Sequence, residues 1–119
     1  MLIGGGSNLL INDEGIDQVV VRYSDPHAEF KRDGSVVTVS GGMNLDQFAL
    51  RTSEAGLGGV VYCSGIPGTV GGAIAGNAGA FGEQIGDRID TIEVMNADGV
   101  VRTVEHDELG FAYRRSNLQ

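Results

Sequence analysis

The residues able to do chemistry in this chain gather in two glycine-rich segments and one short basic stretch. In the first segment, Gly4-Gly5-Gly6-Ser7-Asn8, three residues without Cβ let consecutive amides point at one spot, while a hydroxyl and a carboxamide add donors. A concavity of that kind suits a phosphate. It is not a Walker loop, because no Gly-Lys-Ser/Thr ending follows. Nor is it a dinucleotide fingerprint, because no third glycine leads into a helix. A tight structural turn would use the same residues.

The second segment runs from Ser64 to Gly82 as Ser-Gly-Ile-Pro-Gly-Thr-Val-Gly-Gly-Ala-Ile-Ala-Gly-Asn-Ala-Gly-Ala-Phe-Gly. After Ser64 and Gly65, Pro67 fixes one φ. Gly68 and Thr69 can then open a helix whose free amides face an anion, and Gly71, Gly72, Ala73 and Gly76 keep that helix thin. A planar ring or a chain could pack directly on such backbone. The competing account is a Gly/Ala helix crossing another element closely.

The third stretch is Tyr113-Arg114-Arg115-Ser116, which by itself reads as surface charge flanking a half-buried Tyr. His27 and His106 stand among carboxylates in loop or turn positions, where surface placement outweighs an acid/base role. The pairs Asp13-Glu14 and Asp107-Glu108 are adjacent in sequence, need not face each other, and default to a solvated surface. Cys63 is the single cysteine. It has no Cys or His at ligand spacing, which excludes a zinc site or a disulfide framework and leaves a small core residue.

These residues must be positioned by elements that the patterning also predicts. Met1 to Ile3 reads as an apolar strand with no preceding segment to pair with. Val19-Val20-Val21-Arg22 is a β-branched run suited to a buried strand. Residues 28–32 and 35–40 flank Asp33-Gly34, and residues 91–96 and 100–104 flank Asp98-Gly99, each a dipeptide that supplies the positive φ of a tight hairpin. Between the hairpins, residues 44–56 carry helical spacing, with Leu45, Phe48, Ala49, Thr52 and Ala55 on one face. Asn44 serves as N-cap, Asp46 complements the dipole, and Gly56 takes the left-handed terminal position. A short acidic turn covers residues 105–109. No parallel βαβ alternation is present, so the fold class is α+β with a mostly antiparallel sheet and flanking helices. With no linker and no repeats, the chain is expected to be one unit.

Glycine makes up 20 of 119 residues, well over twice the usual share of about 7%. These glycines alternate with Ile, Val, Ala and Asn and not with Ser and Pro, which fits ordered backbone and not a flexible linker. The formal charge of −8 repels polyphosphate backbones, so nucleic acid and anionic membrane surfaces are poor partners. No apolar run reaches the roughly 20 residues of a membrane span, and no leader pattern opens the chain. A cytoplasmic location is expected. No residue pattern fixes an oligomeric state.

Taken together, Gly-Gly-Gly-Ser-Asn-Leu-Leu at 4 to 10, Gly-Ile-Pro-Gly-Thr-Val-Gly-Gly-Ala at 65 to 73, Asn-Ala-Gly-Ala-Phe-Gly at 77 to 82 and Tyr-Arg-Arg-Ser at 113 to 116 resemble the UDP-N-acetylenolpyruvoylglucosamine reductases. The resemblance runs over essentially the whole chain in the family's order. It implies an FAD-binding domain of the vanillyl-alcohol-oxidase (PCMH) type holding FAD non-covalently. In that family NADPH is the reductant and a UDP-sugar, UDP-N-acetylglucosamine enolpyruvate, is reduced to UDP-N-acetylmuramate for peptidoglycan.

By the same resemblance, Gly4, Gly5, Gly6, Ser7 and Asn8 lie at the FAD pyrophosphate. Ser64, Gly65, Pro67, Gly68, Thr69, Gly71, Gly72, Asn77 and Gly79 lie along the flavin and its diphosphate. Arg114 takes the place of the active-site arginine and Tyr113 lines its pocket, whereas Ser116 is a structural or flavin-side residue. Family members are longer, so residues 1–119 are expected to be an incomplete FAD-binding domain. An N-terminal subdomain and a C-terminal substrate domain, the latter bearing the proton-donating serine, would lie outside it, and residues 1–119 alone would be inactive. The alternatives are a non-catalytic flavin- or nucleotide-binding module, or another oxidoreductase of the same superfamily. Neither glycine segment contains a His or Cys to tether flavin; Cys63, just before Ser64, is the residue to check.

Overall fold

Local signals produce the clearest elements. Helix α1 spans Leu45–Glu54 in the computed structural model, which describes residues 1–119. The carboxamide oxygen of Asn44 accepts from the Gln47 amide at 3.0 Å, satisfying a donor that the first turn would otherwise leave open, an effect of about 1 kcal/mol. Leu45, Phe48, Ala49 and Thr52 form the buried face, and Gly56 at φ +73° ends the helix in the conformation that glycine adopts without Cβ strain. The predicted helix is borne out at both ends.

The chain divides into two compact units, Met1–Ala73 and Ile74–Gln119. The division falls within helix α2, Val70–Ala75, so no Pro/Ser-rich linker marks it.

In the first unit, β1 (Leu2–Ile3) pairs in parallel with β2 (Val21–Arg22), so the opening strand does have a partner. The second strand is shorter than predicted and not buried: Val19 is 82% and Val21 55% exposed. A β-branched run encodes strand geometry, but burial requires another layer on the sheet face. Strands β3 (Phe30–Asp33) and β4 (Val36–Val39) form an antiparallel hairpin. Its two loop residues are Gly34 and Ser35. Only Gly34 has positive φ, while Asp33 belongs to the strand. A 3-10 turn at Val61–Cys63 follows α1, and Met43, Leu45, Val60, Cys63 and Val70 make the centre of this core.

In the second unit, β5 (Gly79–Ala80) pairs with β6 (Glu83–Gln84). Strands β7 (Thr91–Met95) and β8 (Val101–Glu105) then form the longest hairpin. Its loop closes through the Gly99 amide on the Asn96 carbonyl at 3.0 Å, with Gly99 at φ +80°, so the Asp-Gly prediction again holds at the glycine. The acidic stretch after β8 is a 3-10 turn, His106–Leu109. Glu105 and Glu108 there form a reciprocal capping box, which gives Glu108 a structural use beyond solvation. Ile85, Val104 and Leu109 are buried in this unit. The α+β class with mostly antiparallel pairing stands. No helix is long and apolar enough to cross a membrane.

Candidate functional site

The two glycine loops of the first unit lie backbone against backbone. After β1 the chain turns at Gly6, whose φ is +75° and whose carbonyl accepts from the Leu9 amide at 3.2 Å. The Ser7 hydroxyl then donates to the carbonyl of Pro67, sixty residues on, at 2.9 Å. A Cβ on Gly5 would stand 3.1 Å from the Gly68 Cα, and one on Gly68 would stand 3.2 Å from the Ser7 Oγ. A Cβ on Gly4 would collide with the Thr69 hydroxyl. Gly68 also holds φ +132°, a backbone state that only glycine adopts without strain. Side chains at these positions would push the loops apart.

Gly5, Ser7, Pro67, Gly68 and Thr69 line a cleft of ≈400 Å³ together with Arg22, Ser24, Asp25, Pro26, Gly42, Asn44 and Gln47. The amides of Gly5, Gly6, Ser7 and Gly68 donate to no other group of the chain. Arg22 is the one basic residue in the lining. The Asp25 carboxylate is engaged locally, accepting from the His27 amide at 2.9 Å. Open backbone donors and one guanidinium gather at one cleft in a chain whose overall charge is acidic, a donor set whose chemistry suits an anion.

The start of α2 does not supply the free amides that its sequence suggests. Val70 donates to the Met43 carbonyl at 2.9 Å and Gly71 to the Gly41 carbonyl at 2.7 Å. The Gly72 amide points to the Thr69 hydroxyl at 3.2 Å. All three first-turn donors are thus satisfied inside the protein, and the expected anion-facing helix terminus is not built. Gly71 serves instead as a close-packing point: its Cβ would stand 3.0 Å from the Gly41 oxygen.

Ser64 and Gly65 are likewise engaged. The Ser64 hydroxyl and the Gly65 amide both donate to Oδ1 of Asp46, at 3.1 and 2.8 Å, so the first-turn carboxylate of α1 anchors the start of the glycine segment. Cys63 beside them is buried.

In the second unit, Asn77 is 2% exposed and its side chain is committed on both sides. Its Nδ2 donates to Gln84 Oε1 at 2.9 Å and to the Ala112 carbonyl at 2.8 Å, and its Oδ1 accepts from the Gly86 amide at 3.0 Å. Gly79 belongs to β5, where a Cβ would collide with the Glu83 carbonyl. Both residues are explained here by packing.

Tyr113 and Arg114 form the two-residue tip of a turn. Ala112 and Arg115 close it by exchanging amide-to-carbonyl bonds of 3.0 and 3.1 Å. Tyr113 is 89% exposed, more than the half-burial expected. The Arg114 guanidinium carbon lies 5.9 Å from its ring centroid, within cation–π range. Arg114 itself has φ +56°, in the region where a turn normally places glycine. Ser116 is buried and donates to the Ala75 carbonyl at 2.7 Å, matching the structural role expected for it. His27 and His106 are both exposed, and His106 bonds the Ile89 carbonyl at 3.0 Å.

Arg22, Ser24, Asp25, Pro26, Gly42, Asn44 and Gln47 line the cleft without belonging to either glycine-rich segment. Their only common signal is position at the ends of β2 and α1, and long-range packing is what gathers them. The five cleft residues that the sequence did indicate, Gly5, Ser7, Pro67, Gly68 and Thr69, belong to the two glycine-rich segments.

Comparison with known proteins adds a second line. A family profile described as an FAD binding domain matches residues 1–105. The UDP-N-acetylenolpyruvoylglucosamine reductase 2 of Symbiobacterium thermophilum is 40% identical over 118 residues, covering 99% of this chain and 38% of its own length. The corresponding reductase of Bacillus licheniformis is 41% identical over 117 residues, covering 98% and 39%. A crystal structure of the UDP-N-acetylenolpyruvylglucosamine reductase of Thermus caldophilus matches at a TM-score of 0.80 and 32% identity, over 100% of this chain and 43% of that one. The chain thus spans about two fifths of the length of the relatives it matches. The resemblance carried by the glycine segments is borne out in these matches.

Proposed function

The chain belongs to the FAD-binding domain family, and we propose that it is the cofactor-holding part of a UDP-N-acetylenolpyruvoylglucosamine reductase. The observation that carries this reading is the pairing of the Gly4–Asn8 and Pro67–Thr69 loops across one cleft, with unengaged amides and Arg22 around it.

The residues present fit FAD. A pyrophosphate needs several donors at one place, and Gly5, Ser7 and Gly68 bring amides while Arg22 brings charge. The lack of Cβ atoms at Gly5 and Gly68 lets the two loops close on each other, which brings their amides to one place. Bound FAD supplies a two-electron carrier, recharged by NADPH, for reducing the enolpyruvyl group of UDP-N-acetylglucosamine enolpyruvate to UDP-N-acetylmuramate.

The role of Arg114 follows from charge. Reduction at the enolpyruvyl carbon builds negative charge toward the neighbouring carboxylate of the substrate, and a guanidinium carries a permanent compensating charge with a forked set of donors. Its φ of +56° supports a functional placement, because a strained non-glycine residue persists only where its surroundings over-determine it. Tyr113, adjacent on the same turn, contributes an exposed aromatic face.

The test is made on the full-length protein. Purified, it is expected to show the visible flavin absorption bands, to bleach with NADPH, and to recover colour only when the enolpyruvyl UDP-sugar is added. Flavin that remains attached after denaturation, or recovery with no such substrate in the absence of oxygen, would turn the assignment toward a different oxidoreductase of the superfamily. Protein devoid of flavin that cannot be reconstituted with FAD would remove the reading altogether.

A further inference from the structure

We propose that Asn77 is the positioning residue for Arg114, tying the glycine segment to the turn that presents the guanidinium; the inference rests on the assignment of Arg114 made above. The turn has two feet, one on Ala75 at the end of α2 and one on Asn77 just after it. At one foot the Ala112 carbonyl accepts from Asn77 Nδ2 at 2.8 Å and from the Arg115 amide at 3.1 Å. At the other, the Ser116 hydroxyl donates to the Ala75 carbonyl at 2.7 Å and accepts from the Leu118 amide at 3.2 Å. Between the feet, Arg114 adopts φ +56°, where the second central position of a turn favours glycine.

An arginine in that position is sterically strained relative to its relaxed backbone. Freed of its anchors, the turn would relax and carry the guanidinium elsewhere. Asn77 is suited to hold it because the residue is itself fixed. Its Oδ1 accepts from Gly86 at 3.0 Å, its second amide hydrogen is taken by Gln84, and its own φ is +43°, a left-handed state that asparagine tolerates better than most residues. A carboxamide bonded on all sides has one orientation, and so has the carbonyl it holds. The glycine-rich segment thereby sets the position of Arg114 as well as carrying its own surface.

The experiment uses the complete reductase with FAD bound and separates the two half-reactions by rapid mixing. Asn77→Asp keeps the acceptor for Gly86 and loses the donor to Ala112. It is expected to leave bleaching by NADPH within about twofold and to slow reoxidation by the enolpyruvyl substrate by roughly 10- to 100-fold, the scale of a misplacement of about 1 Å. Combined with Arg114→Ala it is expected to be no slower than Arg114→Ala alone, since both act through one group. Ser116→Ala, at the other foot, is expected to give a milder slowing of the same half-reaction, and it carries the test if Asn77 variants fold poorly.

Equal loss in both halves, or slowing by Asn77→Asp that adds in full to that of Arg114→Ala, would overturn the proposal and leave Asn77 a support of the fold. If Arg114→Ala leaves reoxidation untouched, the assignment of Arg114 fails first and the inference goes with it.

Discussion

Gly5 and Gly68 meet as bare backbone, with 3.1 Å between the Gly68 Cα and the place a Cβ on Gly5 would occupy. Gly5→Ala therefore inserts a methyl where two main chains touch, an overpacking that costs about 1–3 kcal/mol. In the full-length protein, titration of the apoprotein with FAD is expected to show affinity weakened about tenfold or more, equivalent to ~1.4 kcal/mol. Unchanged affinity would mean that these loops do not hold the cofactor.

Gly71→Ala addresses a different use of glycine. Its Cβ would stand 3.0 Å from the Gly41 oxygen that its own amide bonds, so the substitution strains or breaks that contact. The full-length protein is expected to lose about 1–3 kcal/mol in denaturant unfolding, by the same amount with and without FAD. A variant as stable as the parent but weakened in flavin binding would assign Gly71 to the cofactor instead of to packing.

Asp46 joins the first turn of α1 to the start of the second glycine segment through Ser64 and Gly65. Asp46→Ala removes an acceptor from two donors and from the helix terminus, and is expected to lower stability by about 1–3 kcal/mol. Asp46→Asn keeps an oxygen in place and is expected to recover part of that loss in the same unfolding measurement. Equal stabilities for the two variants would show that the bonds to Ser64 and Gly65 contribute nothing beyond charge.

Arg114 lends itself to an experiment in which stability and function move in opposite directions. Arg114→Gly relieves a left-handed residue and is expected to hold or raise the thermal midpoint, the gain being up to about 1 kcal/mol. The same variant, like Arg114→Ala, is expected to leave flavin reduction by NADPH nearly intact while slowing the second half-reaction. Loss of stability in Arg114→Gly, with both half-reactions equally impaired, would mean that the arginine serves the fold.

How far the sequence reaches depends on the range of the interaction. Helix α1 was legible because Asn44, Asp46 and Gly56 act within a turn of the helix they bound, and the two long hairpins because Gly34 and Gly99 act on their own backbone. Val19 to Val21 misled because β-branched spacing predicts a strand and not the layer that covers it. The site divided along the same line. The glycine pattern marked Gly5 and Gly68, but the engagement of the α2 amides by Met43 and Gly41, and the gathering of Arg22 and Gln47 into the cleft, arise from partners remote in sequence. The resemblance places Asn77 along the flavin, and only its three side-chain bonds reveal an interior joint.

The engagement of the α2 amides also bears on how the protein acquires its shape. A six-residue helix containing two glycines is far below the roughly 12 residues at which an isolated helix becomes marginally stable in water. Its first turn closes on carbonyls of Gly41 and Met43, so the helix forms only once that earlier loop is already in place ahead of α1. Loop closure over that stretch must be completed before the turn is rewarded. Amide hydrogen exchange at Val70 and Gly71 will then follow the opening of the first unit as a whole, and a refolding experiment will find these amides protected after those of α1.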